Sequence, residues 1–137
     1  MVGARKEFKG VLGTSIMKFC DLNMGRTGLS EKEAERLGIA YEVYTLQAND
    51  IAGYYPGKEL MQIKLLCQKE SKLLLGGQII GGNGVDKRTD VLAMALFHEM
   101  SLYDLVDMDL SYSPPFNGVW DPLQQLARKE TKNLSID

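Results

Sequence analysis

The sequence predicts an α+β domain in which an antiparallel β-sheet is flanked by helices. Its 137 residues suit a single domain with one hydrophobic core. The predicted strands are grouped together and do not alternate regularly with helices, which is typical of the α+β class. Two of these strands, at 61–68 and 72–80, are joined only by Lys69-Glu70-Ser71, a connection short enough for an antiparallel hairpin.

At the start of the chain, residues 11–20 predict the first strand. They are apolar or β-branched and lack helical spacing. Gly25 and Gly28 come next and predict a turn. We therefore expect one strand, then a turn, then a helix.

A short helix and a second strand are expected after that turn. Ser30 and Glu33 have the spacing of a capping box, in which each side chain bonds the backbone amide of the other residue. Gly38 can take the left-handed conformation that closes a helix. Residues 39–46 are rich in β-forming types and predict a strand. At 61–68, apolar residues recur at every second position, which predicts another strand with one face mostly exposed to water.

The second half of the chain is mostly helical in this interpretation. A helix is predicted from Asp86 to about Met100. Its stretch 91–97 is apolar on nearly every side, which indicates burial by more than one partner. Ser101 and Asp104 resemble a second cap, followed by a short turn.

A diproline and a final helix complete the predicted elements. Pro114-Pro115 predicts an extended segment, because proline restricts its own backbone and that of the preceding residue. Asp121 as N-cap and Pro122 at the first helical position predict the start of a helix. Three apolar side chains share one face of this helix: Leu123, Leu126 and Ala127.

Composition and charge argue against several classes of protein. With 45% hydrophobic and 25% charged residues, the chain is unlike disordered proteins. A net charge of -2 offers no positive field to a phosphate backbone, so no nucleic-acid partner is expected. The apolar runs are far shorter than the roughly 20 residues of a membrane helix, and no secretory signal is evident. We therefore expect no membrane association and a cytoplasmic location.

The sequence offers little catalytic apparatus. His98 is the only histidine and lies in the predicted apolar helix, so a histidine-rich metal site is excluded by count. The glycine-rich residues 76–84 match neither a phosphate-binding loop nor a dinucleotide fingerprint, and favour close backbone packing instead. Cys20 and Cys67 are isolated in apolar segments and are predicted to be buried, reduced thiols. We expect no metal and no cofactor to be held by this chain.

Three tyrosines lie next to turn-forming residues. Tyr54 and Tyr55 precede Pro56-Gly57, and Tyr112 precedes the diproline. A phenol on a rigid loop can donate a hydrogen bond to a developing thiolate or oxyanion. It can equally anchor the loop to the domain, and spacing alone favours this second interpretation.

Five ordered segments of the chain stand out together as landmarks of one family. They are Leu12-Gly13-Thr14-Ser15-Ile16, Arg26-Thr27-Gly28-Leu29-Ser30, Ala52-Gly53-Tyr54-Tyr55-Pro56-Gly57, Gly76-Gly77-Gln78-Ile79-Ile80-Gly81, and Tyr112-Ser113-Pro114-Pro115-Phe116 followed by Val119-Trp120-Asp121-Pro122. These segments resemble the C-terminal dimerisation domain of pyridine nucleotide-disulfide oxidoreductases. The resemblance is to the group of coenzyme A-disulfide reductases, NADH oxidases and persulfide reductases, and covers about residues 10–130.

This resemblance implies a domain, here 1–137, whose main task is to join two subunits of a longer flavoenzyme. FAD, NAD(P)H and the redox cysteine would lie upstream, so the isolated chain is expected to be inactive. The resemblance places Tyr54 and Tyr112 near the redox cysteine and the coenzyme A sulfur of the partner subunit, with Tyr55 as the alternative to Tyr54. The start at Met1, directly before domain-like sequence, suggests a fragment.

Two departures and two alternatives accompany the resemblance. Glutathione reductase-like relatives carry a histidine-glutamate pair near the C-terminus, where this chain has Tyr112 and the diproline. A histidine expected shortly before Ala52 is also missing, which leaves the substrate open.

A freestanding coenzyme A-binding or regulatory protein and an independent small enzyme are the alternative functions. The segments 91–97 and 73–80 are the candidates for the subunit interface.

Overall fold

The computed structural model describes residues 7–8 and 10–134, in which five strands and four helices are found. Residues 1–6, 9 and 135–137 of the predicted domain, including Met1, lie outside this range. The elements are β1 (Ser15–Phe19), β2 (Leu22–Gly28), α1 (Glu31–Leu37), β3 (Tyr41–Asn49), β4 (Leu60–Gln68), β5 (Leu74–Gly81), α2 (Val85–Phe97), α3 (Leu102–Asp107) and α4 (Pro122–Leu134).

The strands form one sheet in the order β1-β2-β5-β4-β3, and every neighbouring pair is antiparallel. The predicted hairpin at 61–80 is β4 and β5, with Gln62 opposite Ile80 and a register shift between Leu66 and Cys67. The predicted fold class, an antiparallel sheet flanked by helices, is confirmed.

The hydrophobic core lies between one face of the sheet and the helices. Alternate residues of β4 are at most 2% exposed and point into it, as the period-two pattern predicts. They pack against buried residues of α2, α3 and α4. The side chains that form this layer are Met61, Ile63, Leu65, Cys67, Leu92, Ala95, Leu102, Leu105, Leu123 and Leu126.

The turn predicted at Gly25 and Gly28 is wrong, because Gly25 lies within β2. A Cβ atom at Gly25 would overlap the Oγ1 of Thr89 on α2, so glycine is needed there for close packing of helix on sheet. The turn occurs earlier, at Cys20 and Asp21. The prediction that Cys20 is buried is also wrong, since this turn residue is exposed. Cys67 is buried, as predicted.

The helix signals are mostly confirmed. Ser30 and Glu33 form the complete capping box of α1, and Gly38 ends that helix with a φ of 68°. Ser101 caps α3 in the same way, so the predicted short turn is a helix. Asp121 Oδ1 accepts from the amide of Leu123 at 2.9 Å, which confirms the N-cap of α4.

Helix α2 is shorter and more exposed than predicted. It ends at Phe97, and His98 is the exposed C-cap residue that follows it. Met94 and Phe97 are 57% and 59% exposed, so burial on all sides is not seen within this chain. The glycine-rich strand does allow close backbone packing, since a Cβ at Gly76 would overlap the backbone of Leu29.

Candidate functional site

Tyr54 and Tyr112 meet at one end of the sheet. Tyr54 lies in the connection between β3 and β4, and Tyr112 lies in the connection between α3 and α4. Their hydroxyl oxygens are 3.2 Å apart, within hydrogen-bonding distance. The side chains are 74% and 49% exposed, so both remain accessible from solvent. The structure therefore pairs Tyr54, and not Tyr55, with Tyr112.

The contact between the two phenols makes Tyr54 harder to ionise. The hydrogen bond with Tyr112 raises the pKa of Tyr54 above its ordinary value, with smaller contributions from desolvation and from the charge of Tyr112. The Tyr54 phenol therefore keeps its proton at neutral pH. A hydroxyl is both donor and acceptor, so one phenol can donate to the other while the second O–H points elsewhere.

The loop that carries Tyr54 is closed at its base by Asp50. The Oδ1 of Asp50 accepts from the amides of Ile51 and Glu59 at 2.9 and 2.8 Å, and the amide of Asp50 donates to the carbonyl of Glu59 at 3.0 Å. The side chain of Lys58 also donates to the carbonyl of Gly53. Four bonds within ten residues of sequence make this a compact loop with a fixed base.

Tyr112 lies just before a turn at residues 114–116. The amides of Phe116 and Asn117 both donate to the carbonyl of Ser113, at 2.8 and 2.9 Å. The extended segment predicted for Pro114-Pro115 is therefore wrong, because the fixed φ of proline also suits the first central position of a turn. The carbonyl of Pro114 accepts from the amide of Ala52 at 3.2 Å, which joins the two tyrosine loops directly.

A buried arginine lies beneath both loops. Arg88 on α2 is 1% exposed, and its Nε donates to the carboxylate oxygens of Asp121 at 3.0 and 3.3 Å. Nη1 donates to the carbonyl of Gly84 at 3.1 Å. Nη2 donates to the carbonyl of Asp50 at 2.7 Å and to Oδ1 of Asn117 at 3.1 Å. Its charge is paired and its donors are bonded, which makes such deep burial tolerable.

Sequence reasoning missed Arg88 and Asn117 and identified Asp121 only as an N-cap. A signal for Arg88 was present, because it shares the helical face of Val85 and Leu92 at spacings of three and four. A charged residue on the buried stripe of a helix needs a buried partner. The sequence alone does not identify that partner 33 positions away.

Exposed aromatic and apolar side chains follow Tyr112 in the same connection. Phe116 and Val119 are 70% and 68% exposed. Trp120 is 45% exposed, and the guanidinium of Arg128 stacks over its ring at 3.4 Å. Lys87 donates to the carbonyl of Phe116 at 3.0 Å, and burial lowers the pKa of this lysine. This end of the domain therefore presents an accessible aromatic surface.

The remaining features concern metal binding, membrane insertion and the outer face of the sheet. Within residues 7–8 and 10–134, no three His, Cys, Asp or Glu residues are placed to hold a metal ion together. In that same part of the chain, no helix has the length and apolarity to cross a membrane. The outer face of the sheet, away from the helices, forms an open groove of about 930 Å³ between β1 and β3. Its lining includes Met17, Met24 and Ile80.

Comparisons with known proteins identify the family to which the fold belongs. The CoA-dependent NAD(P)H sulfur oxidoreductase of Pyrococcus furiosus is 41% identical over 93% of this chain and 29% of that protein. The coenzyme A disulfide reductase of Staphylococcus haemolyticus is 33% identical over 89% of this chain and 27% of that protein. The solved NAD-dependent persulfide reductase of A. fulgidus matches with a TM-score of 0.92 and 32% identity, over 97% of this chain and 25% of that chain.

The chain thus spans 29% or less of the length of these relatives. The pyridine nucleotide-disulphide oxidoreductase dimerisation domain matches residues 14–123, which confirms the resemblance seen in the sequence. With that match and relatives at least 33% identical over 89% or more of the chain, this protein belongs to the dimerisation-domain family of the pyridine nucleotide-disulphide oxidoreductases.

Proposed function

We propose that this chain is the homodimerisation domain of an FAD- and NAD(P)H-dependent disulfide reductase or NADH oxidase of the coenzyme A-disulfide reductase type. In this proposal Tyr54 and Tyr112 act in the active site of the partner subunit. The observation that carries it is the 3.2 Å contact between two exposed phenols that lie 58 positions apart in sequence. The names of the relatives, which include a coenzyme A disulfide reductase and a CoA-dependent sulfur oxidoreductase, support the substrate class.

The proposed chemistry concerns a departing thiolate. When a cysteine thiolate attacks a mixed disulfide, one S–S bond forms, another breaks, and the leaving sulfur takes the electron pair. A phenol O–H aimed at that sulfur stabilises its negative charge by a hydrogen bond. Tyr54 and Tyr112 can do this as a pair, because the hydrogen bond between them leaves one O–H free to donate outward.

The remaining parts of the reaction belong to the rest of the proposed enzyme. FAD, NAD(P)H and the redox cysteine would be supplied by its other domains, and this chain alone would not catalyse. The exposed Met94 and Phe97 on α2 support the segment 91–97 as a subunit contact. In β5, which lies between β2 and β4, only the outer face is open to a partner. A cytoplasmic location is part of the same proposal.

Replacement of both tyrosines tests the role of the phenols. In the flavoenzyme that contains this domain, Tyr54→Phe with Tyr112→Phe should lower kcat for disulfide reduction about tenfold or more. A buried oxyanion donor contributes about 10²–10³, and a donor on an accessible surface contributes less. Stopped-flow reduction of coenzyme A disulfide is the measurement. The variant should remain a dimer by light scattering, since phenylalanine keeps the aromatic packing.

Tyr103→Phe is the matched control, because Tyr103 on α3 is 47% exposed and lies away from the pair. Its kcat should equal that of the parent. An unchanged kcat in the double variant would contradict the role of the tyrosines. A monomeric parent chain, where twice 15.3 kDa is expected, would contradict homodimerisation by this domain.

A further inference from the structure

Arg88 contacts the bases of both tyrosine loops from a single rigid helix. One branch runs from Nη2 to the carbonyl of Asp50 at 2.7 Å. Asp50 is also the residue whose carboxylate and amide close the loop that carries Tyr54. The guanidinium therefore binds this loop at its hydrogen-bonded base and not at the tip that carries Tyr54.

The second branch reaches the segment of Tyr112 through Asn117. The Nη2 of Arg88 donates to Oδ1 of Asn117 at 3.1 Å. The Nδ2 of Asn117 donates to the carbonyl of Ser111 at 3.2 Å and to Oδ2 of Asp121 at 2.9 Å. Ser111 immediately precedes Tyr112, so this branch ends one residue from the phenol-bearing residue.

The guanidinium is itself held in place. Its Nε binds both oxygens of Asp121, which caps α4, and Nη1 binds the carbonyl of Gly84 at the start of α2. A planar guanidinium has five donors in a fixed fork, whereas a lysine ammonium is a single point of attachment. The arginine binds Asp121 through Nε, and Asp50 and Asn117 through Nη2, an arrangement that uses two separate nitrogens of the fork.

We infer that Arg88 is a positioning residue for the tyrosine pair, and that its Nη2 sets the separation of the Tyr54 and Tyr112 hydroxyls by binding both loops. This inference rests on the proposed function for its catalytic consequence. A purely structural role explains the bonds from Nε to Asp121, which join α2 to α4. It does not explain why a single nitrogen, Nη2, binds both tyrosine-bearing connections, in addition to the backbone bond from Ala52 to Pro114 that also joins them.

The test measures the contact between the phenols in the 137-residue chain itself. Tyrosine labelled with ¹³C at Cζ gives one resonance per phenol, and its shift during a pH titration reports ionisation. Tyr112→Phe defines the pKa of Tyr54 without its partner, which should fall towards the ordinary value of about 10. Arg88→Lys keeps a cation beside Asp121 but loses the fork, so its Tyr54 pKa should fall to the Tyr112→Phe value.

Asn117→Ala removes the second branch, together with the bond from Asn117 to Asp121, and keeps the Arg88 side chain. It is the deciding variant if Arg88→Lys does not fold. It should also bring the Tyr54 pKa to the Tyr112→Phe value. Lys72→Met is the matched control, because Lys72 is also a largely buried cation paired with a carboxylate, but at the far end of β4. It should leave the titration of Tyr54 unchanged. A folded Arg88→Lys or Asn117→Ala chain with the parent Tyr54 pKa overturns the inference.

Turnover separates this inference from the proposed function. In the flavoenzyme, Arg88→Lys should lower kcat for disulfide reduction several-fold and leave the substrate KM nearly unchanged, because the phenols act on the leaving thiolate. If the titration of Tyr54 shifts while kcat does not, Arg88 positions the pair but the pair has no catalytic role. That result would contradict the proposed function and leave the positioning role supported.

Discussion

The two ends of the sheet are stabilised by different kinds of interaction. The tyrosine end, formed by the connections 50–59 and 108–121, contains the Arg88–Asp121 pair, whose side chains are 1% and 2% exposed. The opposite end, which we call the capping-box end, contains the Lys72–Glu42 pair, whose side chains are 9% and 34% exposed. Each pair joins a cation to one carboxylate, but only Glu42 keeps substantial contact with water.

The reach of the two cations also differs. Lys72 binds Glu42, which lies 30 positions away on β3, and the carbonyl of Lys69, three residues away in its own turn. Arg88 binds acceptors 29, 33 and 38 positions away. The arginine thus makes three contacts between distant parts of the sequence, whereas the lysine makes one distant contact and one local contact.

The largest effect should come from removing the two cations. Arg88→Met leaves Asp121 buried without its charge partner, and we expect a loss of about 3–5 kcal/mol in the free energy of unfolding. Lys72→Met leaves Glu42 partly hydrated, and a loss of about 1 kcal/mol is expected. Urea denaturation followed by circular dichroism gives both values.

The second substitution is the control for the first, since both replace a cation by methionine. Equal losses for the two variants would show that the difference in burial between the ends does not decide their stability. A loss for Lys72→Met greater than that for Arg88→Met would reverse the comparison altogether.

A smaller loss of stability is expected at low pH from the capping-box end, where three carboxyl groups have lowered pKa values. Hydrogen bonds from the Ser30 side chain and backbone, together with Arg26, lower the pKa of Glu33 to about 2. Bonds from Lys72 and Tyr44 lower that of Glu42, and Ser101 lowers that of Asp104. A carboxyl group with a lowered folded pKa stabilises the fold above its unfolded pKa of about 4.3. That contribution is lost as the pH falls from about 4.3 to the folded pKa.

Glu33→Gln removes one of these titrating groups. It tests whether the ionised form of Glu33 stabilises the fold. The parent should have a higher Tm than Glu33→Gln at pH 7, and this difference should shrink between about pH 4.3 and pH 2. Thermal melts across this range are the measurement, with Glu35→Gln as the control on the same helix. A difference in Tm that stays constant with pH would show that the charge of Glu33 does not stabilise the cap.

The sequence separation of interacting residues explains which elements the sequence predicts. The capping box of Ser30 and Glu33, the left-handed Gly38 and the N-cap Asp121 all involve partners within three positions or a single backbone conformation. Such signals are readable because the interacting residues lie in one short window. The turn predicted at Gly25 was wrong for the opposite reason, since the need for glycine there depends on Thr89, 64 positions away.

The candidate site was predicted only in part. Spacing alone favoured loop anchoring for the tyrosines, and the family resemblance singled out Tyr54 and Tyr112. Their contact depends on two connections that meet only in the folded chain. Arg88 and Asp121 each have a local signal, as a residue on a buried helical stripe and as an N-cap, but no local signal pairs them with each other or with Asn117. The sequence therefore indicates some residues of the site, but not the contacts that form between distant positions.

The smallest effect on stability should come from replacement of Cys20. The reactivity of its thiol nonetheless distinguishes the two ends of the sheet. Cys20 is exposed in the turn between β1 and β2, at the tyrosine end, whereas Cys67 is buried near the capping-box end and burial raises its pKa to about 12. Ellman's reagent at pH 8 should therefore modify one thiol rapidly in the folded chain and the second only after denaturation. Cys20→Ser should remove the rapid phase and change the free energy of unfolding by less than about 0.5 kcal/mol. Two rapid thiols would mean that the core around Cys67 opens readily, because a thiol with so high a pKa reacts slowly unless it reaches water.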